Sequence, residues 1–233
     1  MLWYKSWLEF RFRLLFMLAF TVPYLVLMRS IQGHGPAVRA GIVGFVAYSV
    51  PGLMIVLCAF LAGSGIATQP ALQATKGLHG STLFTLSLPV TRFRLLAVRA
   101  GVGWLGLAAV VGVLCGEMWF AAPMLREMAT PAEMFGYAGT LIACSSMLYF
   151  VSVLLATFLD EVWRTWGTMI AGAAVWWLCI KAPLPAFANT LRGMGKGSPI
   201  VAHTVPWSAM AFSLGLSAVL FFAAVKVAQA REY

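Results

Sequence analysis

KGLHGSTLFTLSLPVTRFRLLAVR, residues 76–99, interrupts two strongly apolar runs and carries four of the sixteen Lys and Arg residues: Lys76, Arg92, Arg94 and Arg99. Its middle reads as a short helix. Ser81 or Thr82 can cap the first turn, and Leu83, Phe84, Leu86 and Leu88 supply apolar positions. Pro89 removes a backbone donor and turns Leu88 away from helical geometry, so the helix is about two turns long. A helix of that length is marginal alone in water. It therefore needs to dock on the membrane surface, on the ends of neighbouring spans or on a partner protein.

The flanking runs belong to a chain of 233 residues, 61% hydrophobic and only 10% charged, with a mean hydropathy of +0.89. An ordinary globular domain is about a quarter charged. The apolar runs have the length needed to cross a hydrocarbon core of about 30 Å as helices, which makes this an all-α integral membrane protein with one transmembrane domain. The net charge of +9 is scattered among short connections rather than gathered into a stripe, so the cations suit a membrane surface and not a nucleic acid. Cys58, Cys115, Cys144 and Cys179 each stand alone in an apolar run, which reads as packing rather than metal ligation.

Working outward, residues 1–13 mix Trp3, Tyr4, Trp7, Phe10 and Phe12 with Lys5, Glu9, Arg11 and Arg13, the pattern of an amphipathic interfacial helix. Without a small-residue cleavage site it is not a removable signal. Six spans are expected, at about residues 14–30, 38–66, 96–119, 134–159, 165–180 and 207–227. Pro23 and Pro51-Gly52 should bend the first two, and the glycines at 101, 103, 106, 112 and 116 should let another helix approach the third closely. Thr130-Pro131-Ala132-Glu133 reads as a capping box opening the fourth span. Residues 181–206, with Pro183, Pro185, Pro199 and Pro206, suit a pair of short interfacial or re-entrant helices on the outer side. The patch Gly193-Met194-Gly195-Lys196-Gly197 within them reads as a flexible turn, and Asp160 to Arg164 as a solvated loop with an internal ion pair.

Six spans put both termini on one side. That side would hold Lys5, Arg11, Arg13, Lys76, Arg92, Arg94, Arg99, Arg164, Lys226 and Arg231, against Arg29, Arg39, Arg126, Lys181, Arg192 and Lys196 on the other. The excess of cations places both termini and residues 76–95 in the cytoplasm.

The run GSTLFTLSLPVTRFRLL, residues 80–96, resembles the cytoplasmic segment of membrane subunits of ATP-binding cassette (ABC) transporters of the type-2 permease family. Leu88-Pro89-Val90-Thr91-Arg92 carries the likeness most closely, and the interfacial helix, six spans and broken segment before the last span repeat the family's layout. The resemblance implies a coupling helix, with Ser81, Thr82, Leu83, Phe84, Leu86 and Arg92 facing a separate ATPase subunit. It also implies two such ATPases carrying ATP and Mg, a second permease subunit, identical or similar, and residence in a bacterial inner membrane. The implied activity is export of a hydrophobic or amphipathic substrate. Many members have an acid in the short helix where this chain has Phe84 or Thr85.

A search for chemistry in the chain itself returns little. No phosphate-binding loop, HExxH or GxSxG occurs, and His34, His79 and His203 are far apart in sequence, so no catalytic, cofactor or metal residue is assigned. Glu117, near the outer end of the third span beside Trp119, is the acid whose depth makes it a candidate for substrate contact or gating. Most other tryptophans suit the aromatic belts. Beside the transporter stand two other classes: a non-transporting scaffold or assembly factor holding a soluble partner through the basic amphipathic segment, and a lipid-directed membrane enzyme, disfavoured for want of clustered acids or histidines.

Overall fold

A computed structural model describes residues 2–30, 35–62, 91–182 and 184–230. Among them the chain is helical and contains no strand. In order come α1 (Leu2–Ser30), α2 (Pro36–Leu61), α3 (Arg92–Ala121), α4 (Pro123–Met128), α5 (Pro131–Leu155), α6 (Glu161–Lys181), α7 (Thr190–Met194), α8 (Pro199–Ala202) and α9 (Trp207–Ala230). Helices α2, α3, α5 and α9 are each long and apolar enough to cross a membrane. Large apolar side chains such as Phe120, Phe135, Val219 and Phe222 stand exposed along them, which suits lipid rather than water.

Residues 2–22 contain neither Gly nor Pro, and α1 runs as one helix through the place where a change of direction was expected near residue 13. At 29 residues it is about 43 Å long, with Pro23 inside it. Ser6, Phe10, Leu14, Met17 and Thr21 are buried, a stripe at helical spacing, and the stripe lies on α3. The two helices run parallel: Trp3 meets Gly101, Phe10 fills the space that a Cβ on Gly106 would need, and Thr21 reaches Glu117. Gly103 likewise leaves room for the Tyr149 hydroxyl and the Leu61 carbonyl. Gly112 and Gly116 face open space, so only part of the glycine run serves close approach.

In α2 the bend expected at Pro51-Gly52 takes the form of a π-helical turn, Phe45–Ser49, in which the Val50 N–H donates to the Phe45 carbonyl. Pro51 has no N–H for the Ala47 carbonyl, and a widened turn absorbs that loss without breaking the helix. α6 packs antiparallel on α2, with Ile55 over Gly172 and Trp176 over Gly52. α5 and α9 run parallel, Cys144 beside Ser213 and Phe150 beside Phe221.

Several boundaries differ from expectation. α2 ends at Leu61, α5 at Leu155 rather than near 159, and α3 begins at Arg92 instead of 96. Thr91 explains the last of these: its extended backbone and its side chain, accepting from the Arg94 N–H at 3.3 Å, cap the helix four residues early. The capping box at Thr130 and Glu133 is present in both halves, 2.6 Å and 3.3 Å. Residues 190–202 form two short helices, but the Gly193 to Gly197 patch is a packed structure and not a loose turn. Gly193, Met194 and Gly195 are buried, and a Cβ on Gly195 would lie 2.6 Å from the Ala47 carbonyl.

Candidate functional site

The contacts above put the start of α1, the end of α2, the starts of α3 and α6 and the ends of α5 and α9 at one end of the bundle. Arg92, Arg94, Arg164 and Lys226 are on or next to those terminal turns, with Arg99 and Arg13 two to three turns further in, while Arg29, Arg39, Arg126, Lys181, Arg192 and Lys196 belong to the other end. Of the six spans expected from sequence, four correspond to helices long and apolar enough to cross a membrane, α2, α3, α5 and α9; α1 and α6 are not among them.

Ser81, Thr82, Leu83, Phe84 and Leu86 lie outside the described residues, but the exit from their segment does not. Arg92, in the first turn of α3, donates through Nη1 to the Ala228 carbonyl at 2.9 Å and to the Gln229 carbonyl at 3.1 Å. Those carbonyls belong to the last described turn of α9, where the helix dipole is negative. Arg92 thus caps the last long helix while standing at the head of the third. Phe93 reinforces the junction by meeting Phe221 edge-on at 5.9 Å, and Phe221 meets Phe150 of α5 at 5.8 Å.

Around this junction the basic end is built into the core. Arg164 is only 3% exposed, contrary to the expected solvated loop. Asp160 sits at the N-cap of α6. Glu161 pairs with Arg13 of α1 and lies 4.0 Å from Arg164, so one carboxylate serves two guanidinium groups on different helices. A buried cation is tolerable when paired in this way, whereas an isolated one costs far more than packing returns. Next to it the buried Tyr149 hydroxyl donates to the Ala100 carbonyl at 2.7 Å, joining α5 to α3.

Glu117 stands near the opposite end of α3. The hydroxyl of Thr21, fully buried on α1, lies 2.7 Å from the Leu18 carbonyl and 3.2 Å from Glu117 Oε1, so its single proton is shared between the two acceptors. Oε2 is buried too, and accepts no hydrogen bond. The carboxylate is therefore an element of the α1–α3 contact and not a group waving in the interface. One shared hydroxyl contact leaves most of the four lone-pair sites of this carboxyl group open to a donor on a cargo or a cation.

On the end away from the Arg92 junction, the π turn of α2, the last turn of α6 and the α7–α8 region enclose an open cavity of about 470 Å³. Tyr48, Pro51, Trp176 and Ile180 form its apolar wall, and Arg192 and Lys196 its rim. The Lys196 ammonium sits 5.5 Å from the centre of the Tyr48 ring, within cation–π range. Asn189 holds the floor: its Oδ1 accepts from the Arg192 N–H at 2.9 Å and its Nδ2 donates to the Cys179 carbonyl at 3.0 Å. Close by, His203 takes a left-handed backbone (φ 52°) and brings Nδ1 within 2.7 Å of Glu133 Oε1, fixing α8 to the start of α5.

The sequence singled out Arg92 as facing an ATPase subunit, whereas its guanidinium is engaged by the α9 carbonyls; it singled out Glu117 without a partner, and it missed the cavity. The signal for the cavity was present: a proline at 51 that must disturb α2, and a glycine at 195 between two cations, where only a missing side chain allows backbone to approach backbone. Among the described residues no group of three or more His, Cys, Asp or Glu side chains could hold a metal ion. Comparison with protein-family models, with curated proteins and with solved structures returned no match for this chain.

Proposed function

We propose that this chain is the permease subunit of an ABC exporter of the type-2 kind, with six crossings, both termini in the cytoplasm of a bacterial cell and its ATP used by a separate ATPase. Arg29, Arg39, Arg126, Lys181, Arg192 and Lys196 would then face outward. Two permease chains and two ATPases would form the working unit. The observation that carries the reading is the Arg92 junction, taken with the Leu88-Pro89-Val90-Thr91-Arg92 motif. A segment seated on a motor must pass its displacement to the spans, and Arg92 ties the exit of residues 76–91 both to α3, which it opens, and to α9, which it caps. Leu83, Phe84 and Leu86 have the helical spacing of apolar anchors for a partner's groove. The cargo suited to an apolar, aromatic interior is hydrophobic or amphipathic.

The test is co-purification of the chain with the ABC ATPase from its own genome, followed by ATP turnover for the wild type and for Phe84→Asp. The proposal expects Phe84→Asp to abolish assembly or to cut cargo-stimulated turnover at least about tenfold, as loss of a buried interface anchor does. Intact assembly and turnover would end the coupling assignment. A stable complex without any ATP-dependent movement of cargo would point to the scaffold reading.

A further inference from the structure

We infer that the cavity between the π turn of α2, the end of α6 and α7 is a binding site for an anionic lipid, with its phosphate between Arg192 and Lys196 and its acyl chain along Tyr48, Pro51, Trp176 and Ile180. Three observations converge on it. The first is size and form: about 470 Å³ lies in the range of sites that hold small organic ligands, and Tyr48 and Ile180 in its lining are themselves half exposed or more, so the cavity is open along its apolar wall. A lipid enters such a site along the bilayer without leaving it.

The second is charge. The lining contains two cations and no acid, and Arg192 is held by a backbone whose N–H is capped by Asn189 and whose carbonyl accepts from Gly197 at 2.7 Å. The short turn Gly195 to Gly197 returns the chain so that Lys196 and Arg192 share one rim, and Tyr48 holds the ammonium over its ring. A planar guanidinium and a point-charge ammonium lining one cavity suit a phosphate diester.

The third is that the backbone here is shaped at some cost. The π turn interrupts regular hydrogen bonding in α2, and the Gly195 backbone packs against the Ala47 carbonyl, with no room for a side chain. Both features bring the cationic rim against the aromatic wall. The site itself needs only that the chain lies in a bilayer. Identifying its occupant as waiting cargo would rest on the permease reading above.

The purified full-length chain, without any ATPase, is to be titrated by native mass spectrometry with phosphatidylglycerol, with phosphatidylcholine of the same chains, and with inorganic phosphate. The expected result is one phosphatidylglycerol bound at least about tenfold more tightly than phosphatidylcholine, since two cations attract an anionic headgroup and gain nothing from a zwitterionic one. Arg192→Gln with Lys196→Gln should abolish that preference. Lys181→Gln, which removes an exposed cation of the same end outside the cavity, should leave it intact. Trp176→Ala should weaken both lipids while preserving the preference. Equal binding of the two lipids, or a preference that survives the double substitution or disappears in Lys181→Gln, would overturn the site. So would inorganic phosphate that displaces phosphatidylglycerol at equal concentration, because the chain would then add nothing. Lipid preference without ATP-driven export would retain the site and remove the transporter reading; the converse would do the reverse.

Discussion

The Arg92 guanidinium and the Ala228 carbonyl are 136 residues apart in the chain and 2.9 Å apart in space. Through that contact the residue that opens the third long helix also closes the last one. The contact ties the start of α3 to the end of α9.

Arg92→Gln shortens the reach to those carbonyls and removes the charge that favours a helix C-terminus. Loss of a partly exposed charge-assisted cap costs about 1 kcal/mol. The expected outcome is faster amide exchange confined to the last two turns of α9, with the exchange of α5 unchanged. Uniform protection of α9 in the variant would show that the contact holds nothing in place.

Gly106→Ala places a methyl group where the Phe10 ring stands. Overpacking of this kind costs about 1–3 kcal/mol. In thermal denaturation in detergent, Gly106→Ala should lower the midpoint, and Gly106→Ala combined with Phe10→Leu should recover part of the loss. Strictly additive effects would mean that the two residues do not share one packing site.

Tyr149→Phe removes the hydroxyl that bonds the Ala100 carbonyl and leaves that acceptor buried. The expected destabilisation is about 1–2 kcal/mol, read as a lower chemical or thermal midpoint. Because the hydroxyl also fills the space over Gly103, the double variant Tyr149→Phe with Gly103→Ala should be less destabilised than the sum of its parts.

Glu117→Gln keeps an acceptor for Thr21 and removes the charge. Folding and assembly should survive. If the buried, unpartnered Oε2 serves a proton or a cargo donor, the rate of cargo movement in reconstituted vesicles should change several-fold. An unchanged rate would return Glu117 to a packing role between α1 and α3.

Pro51→Ala supplies an N–H that can donate to the Ala47 carbonyl, the same carbonyl against which Gly195 packs. The π turn should then relax toward regular helix and turn Tyr48 relative to Lys196. The measurement is cross-linking between cysteines placed at 48 and 196, whose yield should fall in Pro51→Ala; equal yields would show that the turn does not depend on the proline.

Much of this was legible beforehand because it depends on quantities local in sequence. Apolar run length marked out α2, α3, α5 and α9, four of the six expected segments, as helices able to span a bilayer, whatever they pack against. Thr130, Pro131 and Glu133 determined a helix start, since a capping box closes within four residues. The alternation of cations between successive connections anticipated their sorting to the two ends of the bundle.

What only the tertiary structure decided concerns partners distant in sequence. An apolar membrane helix offers a nearly uniform face, so hydropathy could not say that α1 would lie on α3 through Phe10, Thr21 and Glu117, or that three of the five α3 glycines would meet side chains and two would meet none. Nor could it bury Arg164 beside the Glu161 that also pairs with Arg13, or bring Lys196 over Tyr48. Those placements follow from which faces come within a few ångströms of each other, and packing and hydrogen bonding fall off over that distance.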